Sequence, residues 1–318
     1  MLEQAFREFE RQTRLVTSNP LLNNVKYEYL KLIDSDMDDY VVKMKKQLMG
    51  HLEKMKPIYD IHHGSFYNDY SEVTLYLILK LKGNSVRAIN RSSKSTPDFG
   101  VKIGNTEFII EVKNPLPMNP EKNIYEFQQV CHESNVELDR HKKSGKVNFG
   151  KEVVYSPHVP NNADAYDPHS NLMIINNIIG KIDQNCKNSQ LSDNSVLLFD
   201  LTQLTMHTAP TCSPFIFVSE DNVVVSAPLW NVCFGIVGSP IYKYDFHPKG
   251  NLEGYMKRNG VMIDNQVIQA IVFRFDHHQN GTMFYGFTRS KSTLDTFIEH
   301  FCDESNTEQN SLYYASLQ

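Results

Sequence analysis

Three residues combine types and spacing that could do chemistry together: Asp98, Glu111 and Lys113. Two carboxylates held side by side repel each other, and they stay together without destabilising the chain only where a cation lies between them. A hard divalent ion resolves the conflict. Mg²⁺ suits two carboxylates with few other protein ligands, because it keeps several waters and accepts phosphate oxygens in its remaining positions; Mn²⁺ is expected to substitute. A lysine beside such an ion can orient or help deprotonate an attacking water and can stabilise charge building on a phosphate. The chemistry these parts suit is phosphodiester hydrolysis.

The elements that must position the trio can be read from the same stretch. PDFGVKI and TEFIIEVKN read as strands joined by Gly104-Asn105, a two-residue hairpin turn. With that turn Ile103 faces Thr106, every later pair sums to 209, and Asp98 falls opposite Glu111. Side chains alternate along a strand, so Glu107, Ile109, Glu111 and Lys113 take one face, and Phe108, Ile110 and Val112 the core-facing one. A bulge or a longer turn would move this pairing by one residue.

Around the hairpin, residues 1–57 read as a helical lobe, with Leu2, Phe6, Phe9 and Leu15 spaced for one face. IHHGSFYND reads as a loop, and SEVTLYLILKLKG as an apolar helix ended by Gly83. SVRAIN precedes the hairpin as a further strand. The segment 124–166 is polar and expected to be helix plus loops, followed by the amphipathic helix NLMIINNIIGKIDQNCKN and the short buried strand SVLLFDLT. PFIFV, NVVVSA, NVCFGIVG, VIQAIVFRFD and TMFYGFT are strand-like and expected to complete a mixed sheet. The expected organisation is an N-terminal helical lobe (1–57), an α/β domain with a strand-rich extension (58–302) and a frayed polar tail (303–318).

Bulk properties narrow the setting without deciding it. In 318 residues, 41% apolar and 22% charged, no window approaches the roughly 18 apolar residues of a membrane span. No membrane partner is expected. The N-terminus has no apolar secretory core, so a cytoplasmic location is expected. The five cysteines are odd in number and lack C-x-x-C spacing, which argues for reduced thiols over a disulfide framework or zinc site. A net charge of -5 disfavours nonspecific coating of nucleic acid and requires a local patch for any contact. No G-x-x-x-x-G-K-[ST] loop is present, so the chain carries no obvious ATPase of its own, and a homodimer or a separate ATPase or helicase subunit is a candidate partner.

Pro97-Asp98, twelve intervening residues and Glu111-Val112-Lys113 resemble the PD-(D/E)XK nuclease superfamily, to which many restriction endonucleases belong. The resemblance covers roughly 68–205. It implies a restriction-endonuclease-like αβ sandwich: helix, three-stranded meander, helix, strand, helix. It also implies metal binding by Asp98 and Glu111, with the Val112 carbonyl as a further ligand, and a catalytic role for Lys113. The implied activity is Mg²⁺-dependent endonuclease action on DNA in restriction or antiviral defence, with a homodimer suggested by one active site per chain. RNA cleavage and a non-catalytic nucleic-acid-binding or assembly module remain alternatives, as does a surface hairpin whose charges are merely solvated.

Other residues are more open. Glu72 matches the acid that members often carry on the first core helix, but Asp69 and Glu72 also fit a capping box. Lys181 and Gln184 occupy a polar helix face where some relatives carry Gln and Tyr, and no tyrosine follows. Arg87, Arg91 and Lys94 lead into the hairpin and would bring positive charge to a scissile phosphate. DRHKKSGKVNFGK could grip a phosphate backbone or be a solvated loop. The pairs His62-His63 and His277-His278 read as loop or surface histidines, since adjacent side chains diverge.

Overall fold

The computed structural model describes residues 1–13, 19–57, 59–89, 96–117, 120–145, 157–158, 170–186, 191, 194–204, 211–218, 223–243, 251–277, 281–289 and 294–307. The chain forms two compact units interleaved in sequence: Met1–Ile78 with Leu116–Asp164, and Leu79–Pro115 with Ala165–Gln318. The expected boundary at 57 lies inside the first unit.

The first unit is helical among its described residues. It holds α1 (Leu2–Thr13), α2 (Tyr27–Ser35), α3 (Asp39–Lys54), the greater part of α4 (Ile61–Leu81) and α5 (Pro120–Lys143). Apolar spacing explains the packing: Val41, Met44, Leu48 and Leu52 form the buried stripe of α3. Asp38 caps that helix by accepting from the Tyr40 N–H, and Asp34 accepts the Leu2 and Glu3 N–H groups at the start of α1. IHHGSFYND, expected as a loop, is instead the first part of α4. Its glycine and Asn-Asp pair are overridden by His63, Phe66, Tyr67 and Tyr70, buried at helical spacing, with Phe66 stacked on Phe6 at 5.7 Å. Asp60 accepts the His62 N–H at the helix start.

The second unit is α/β, built among its described residues on a mixed sheet of seven strands. β1 (Ser85–Ala88), β2 (Phe99–Ile103) and β3 (Thr106–Lys113) form an antiparallel meander. β3 then runs parallel to β4 (Ser195–Asp200), and β4 parallel to β9 (Ala270–His277). β10 (Gly281–Thr288) pairs antiparallel with β9, and β11 (Glu304–Thr307) parallel with β10. β11 lies in the stretch expected to fray; its four residues gain a full ladder on one side.

Each face of the sheet has its own cover. On one face Leu197, Phe199, Ile271 and Phe273 join Ile174, Ile175, Ile178 and Ile182 of α6 (Asn171–Asn185) in a single apolar cluster. On the other, α9 (Asp295–Phe301) sets Phe297 5.4 Å from the Phe108 ring and Phe301 4.5 Å from that of Phe284. Part of NVCFGIVG, expected as a strand, belongs to the helix α7 (Pro228–Phe234), and every residue of that helix is buried. A helix buried on every side, with Asn231 its one polar side chain, shows no 3.6-residue alternation in sequence, and Pro228 at its first turn is the surviving signal. β5 (Phe215–Val218) and β6 (Val223–Ser226) form a two-stranded sheet of their own rather than joining the main one. So do β7 (Pro240–Lys243) and β8 (Asn251–Tyr255).

Candidate active site

The site is built on β3. The turn at Gly104, with φ 59°, closes the hairpin, and the pairs run Ile103 with Thr106, Lys102 with Glu107, Val101 with Phe108, Gly100 with Ile109 and Phe99 with Ile110. Every pair sums to 209. Phe108, Ile110 and Val112 are buried on one face. Glu111 and Lys113 take the other, sharing it with their β4 partners Leu197 and Phe199 and therefore with α6.

Asp98 lies one step beyond the last ladder pair and departs from regular pairing. Its N–H donates to the Ile110 carbonyl at 3.1 Å, and its carboxylate accepts the Val112 N–H at 2.8 Å. Its own carbonyl accepts from Ile89 N–H at 2.8 Å, which ties it to the β1 side. The Asp98 side chain thus takes over the bond that a continuing β2 backbone would have made. The N–H and C=O of one strand residue point to the same edge, so the Val112 carbonyl faces this same break in the ladder.

Glu111 is only 3% exposed, an unusual place for a carboxylate. Lys113 Nζ donates to its Oε1, while Oε2 is buried and has no hydrogen-bond partner among the described residues. A buried, unpaired carboxylate oxygen is costly and calls for a cation or water. The site therefore offers one buried carboxylate oxygen without a described partner beside Lys113, with Asp98 and the Val112 carbonyl at the adjoining edge. Among the described residues no group of three or more His, Cys, Asp or Glu side chains is arranged to hold a metal ion. An ion here would rest on two carboxylates and a carbonyl and keep much of its water, a donor set that fits Mg²⁺ or Mn²⁺ better than a metal needing an all-protein cage.

α6 brings further groups to this face. Cys186, its C-cap residue, lies within electrostatic reach of Lys113 and Glu111. Burial pushes its thiol upward, as do Glu111 and Asp183, while Lys113 pulls it down. The sequence reading stopped at Lys181 and Gln184, and a cysteine past the last helical turn carried no signal. Burial alone lowers Lys181 to about 8. Gln184 is exposed.

The remaining expected residues divide. Arg87 stands on the face of Glu111, across from Gly100, but its Nε is paired with Glu107 Oε1 at 2.8 Å. A Cβ at Gly100 would meet both partners, at 2.8 Å and 3.0 Å, so that glycine makes room for the pair. Arg91, Lys94 and His278 lie outside the described residues. In the first unit, Glu72 accepts the Tyr40 hydroxyl at 2.8 Å. It sits well inside α4, so the capping box is excluded. His63, expected at the surface, is fully buried: its Nδ1 bonds Asp60 at 3.0 Å, and burial holds its pKa below the usual value.

No protein-family model matches the chain, and no curated protein or solved structure shows significant similarity to it.

Proposed function

We propose that this chain is an Mg²⁺-dependent endonuclease hydrolysing phosphodiester bonds of DNA. The observation that carries the reading is the unpartnered Oε2 of buried Glu111, held beside Lys113 and next to the break where Asp98 replaces the β2 backbone. A bound Mg²⁺ would neutralise the carboxylates and polarise a phosphate oxygen. Asp98, Glu111 and the Val112 carbonyl would hold it. Lys113, moving its ammonium from Glu111 toward the phosphate, would orient the attacking water and offset charge on the transferred phosphoryl group. The chain order α4, the β1–β2–β3 meander, α6 and parallel β4, with α5 inserted between β3 and α6, supports the resemblance to restriction-endonuclease-like enzymes. Restriction or defence against foreign DNA is the setting that follows. A second copy of the chain would supply the cut in the opposite strand.

The test is incubation with plasmid DNA, single-stranded DNA and RNA in Mg²⁺, Mn²⁺ or chelator. Wild type should cut DNA with either metal, and Lys113→Ala or Glu111→Gln should lower the rate about 100-fold or more with the fold intact. Cleavage that survives both substitutions, or that persists in chelator, would sink the assignment. RNA as the preferred substrate would move it to a ribonuclease.

A further inference from the structure

One solvent-facing row of the first unit has a character that its helix alone does not require. Along α5, Tyr125, Gln129, His132, Val136, Arg140 and Lys143 recur at intervals of three or four residues and are all exposed. Such spacing places them in a single stripe about 27 Å long. The stripe contains no carboxylate. Glu126, Glu133 and Glu137 form a separate row beside it, and Asp139 stands near its C-terminal end. Two large apolar groups lie open within it, Tyr125 at 39% and Val136 at 55% exposure. Gln129 Nε2 donates to the Tyr125 hydroxyl at 2.9 Å, steadying the ring.

The last turn carries Arg140, Lys142 and Lys143, and none of the three is in an ion pair with a described residue. Elsewhere Arg7, Arg11, Arg87 and Arg258 are paired with carboxylates. Cations at a helix C-terminus are favoured by the helix dipole, which accounts for the last turn alone. The dipole does not account for a carboxylate-free row reaching back four turns to an exposed tyrosine.

We infer that this face of α5 binds the phosphate backbone of DNA, through Arg140 and Lys143, with Lys142 on the adjoining flank of the last turn and with Tyr125 and Val136 resting against sugar or base. Charge complementarity selects the occupant: in a chain of net charge -5, three cations that make no ion pair with a described residue meet a polyanion more favourably than they would another copy of this acidic chain. The inference rests on the nuclease reading for the choice of DNA, and it is tested separately from cleavage.

The experiment measures binding of a fluorescently labelled 30-base-pair duplex by anisotropy, in chelator and over a series of KCl concentrations, for the full chain. The variant R140Q/K142Q/K143Q should bind about tenfold or more weakly at moderate salt, with a log K against log salt slope smaller by about 2 or more. Tyr125→Ala should weaken binding with the slope unchanged. Removing the neighbouring acidic row, by E126Q/E133Q/E137Q, should tighten binding, a gain that misfolding would not produce. Unchanged affinity and slope in the cation variant overturn the inference. So does a wild type that binds no duplex, or a stripe variant that alters only sedimentation of the chain on itself. A duplex bound through the stripe but never cut refutes the nuclease reading alone; one cut normally by the cation variant, with unchanged affinity, refutes the stripe alone.

Discussion

At the scale of single residues, Asp98 does two jobs that substitution can separate. Its carboxylate accepts the Val112 N–H where the β2 ladder ends, and under the proposed function its charge would hold the metal ion. Asp98→Asn keeps an acceptor for that N–H, so stability in urea should stay near wild type while Mg²⁺-dependent cleavage falls about 100-fold or more. Asp98→Ala should lose cleavage and also cost about 1 kcal/mol. Equal stability of the two variants would remove the structural half of the account. Lys181 gives a pH signature. Burial lowers it from 10.5 to about 8, so the folded state releases this proton before the unfolded state does. Between those two pKa values the unfolded chain binds more protons, and this residue's contribution to stability rises with pH. Below the lower value the cost of burying the charge is fully present. Lys181→Met should therefore raise Tm at neutral pH and abolish that part of the rise. Denaturation series at several pH values check both effects. The places of Lys181 on its helix and of Glu111 and Lys113 on their strand were legible because charged residues stand out at helix and strand periods. Cys186 was not, since its approach to Glu111 depends on where α6 crosses the sheet.

At the scale of elements, the β2–β3 hairpin shows how local chemistry sets a site. Gly104 at positive φ and the alternation of β3 fixed the register from sequence, and only the last step, at Asp98, differs. That step is where the ladder yields to a side-chain bond, a competition that strand patterning does not represent. The contact of β10 with α9 is tighter. A Cβ on Gly286 would lie 2.5 Å from Ile298 Cγ2 and 2.8 Å from Cys302 Sγ. Gly286→Ala should destabilise the fold by about 1–3 kcal/mol through overpacking, read as a lower urea midpoint at unchanged slope. The pair Gly286→Ala with Ile298→Ala should recover part of the loss. The α7 segment shows the opposite limit of legibility. With every residue buried it has no polar face, so neither a helix nor a strand period could be recognised.

At the scale of the whole molecule, the sheet of the second unit is closed internally by a charge pair that the sequence did not reveal. Arg274 on β9 and Asp200 on β4 are register partners, both buried, with Nη1 and Oδ2 3.0 Å apart. Asp200 also accepts from the Thr202 N–H and hydroxyl, which hold the turn after β4. Arg274→Met should cost about 3–5 kcal/mol by leaving a buried carboxylate uncompensated. Adding Asp200→Asn should return much of that loss, and a double variant no more stable than the single one would refute the pairing as the cause. The chain's linear pattern determined the meander, its register, the faces of Glu111 and Lys113, and the amphipathic helix that follows. Each of these depends on neighbours a few residues away and on a turn with one geometry. The tertiary structure alone decided the break at Asp98, the burial of Glu111 with one oxygen unpartnered, the closeness of Cys186, the buried Asp200–Arg274 pair and the helical state of 61–69 and α7. These depend on which distant surfaces meet, and packing free energy, unlike turn and strand periodicity, has no local code to read.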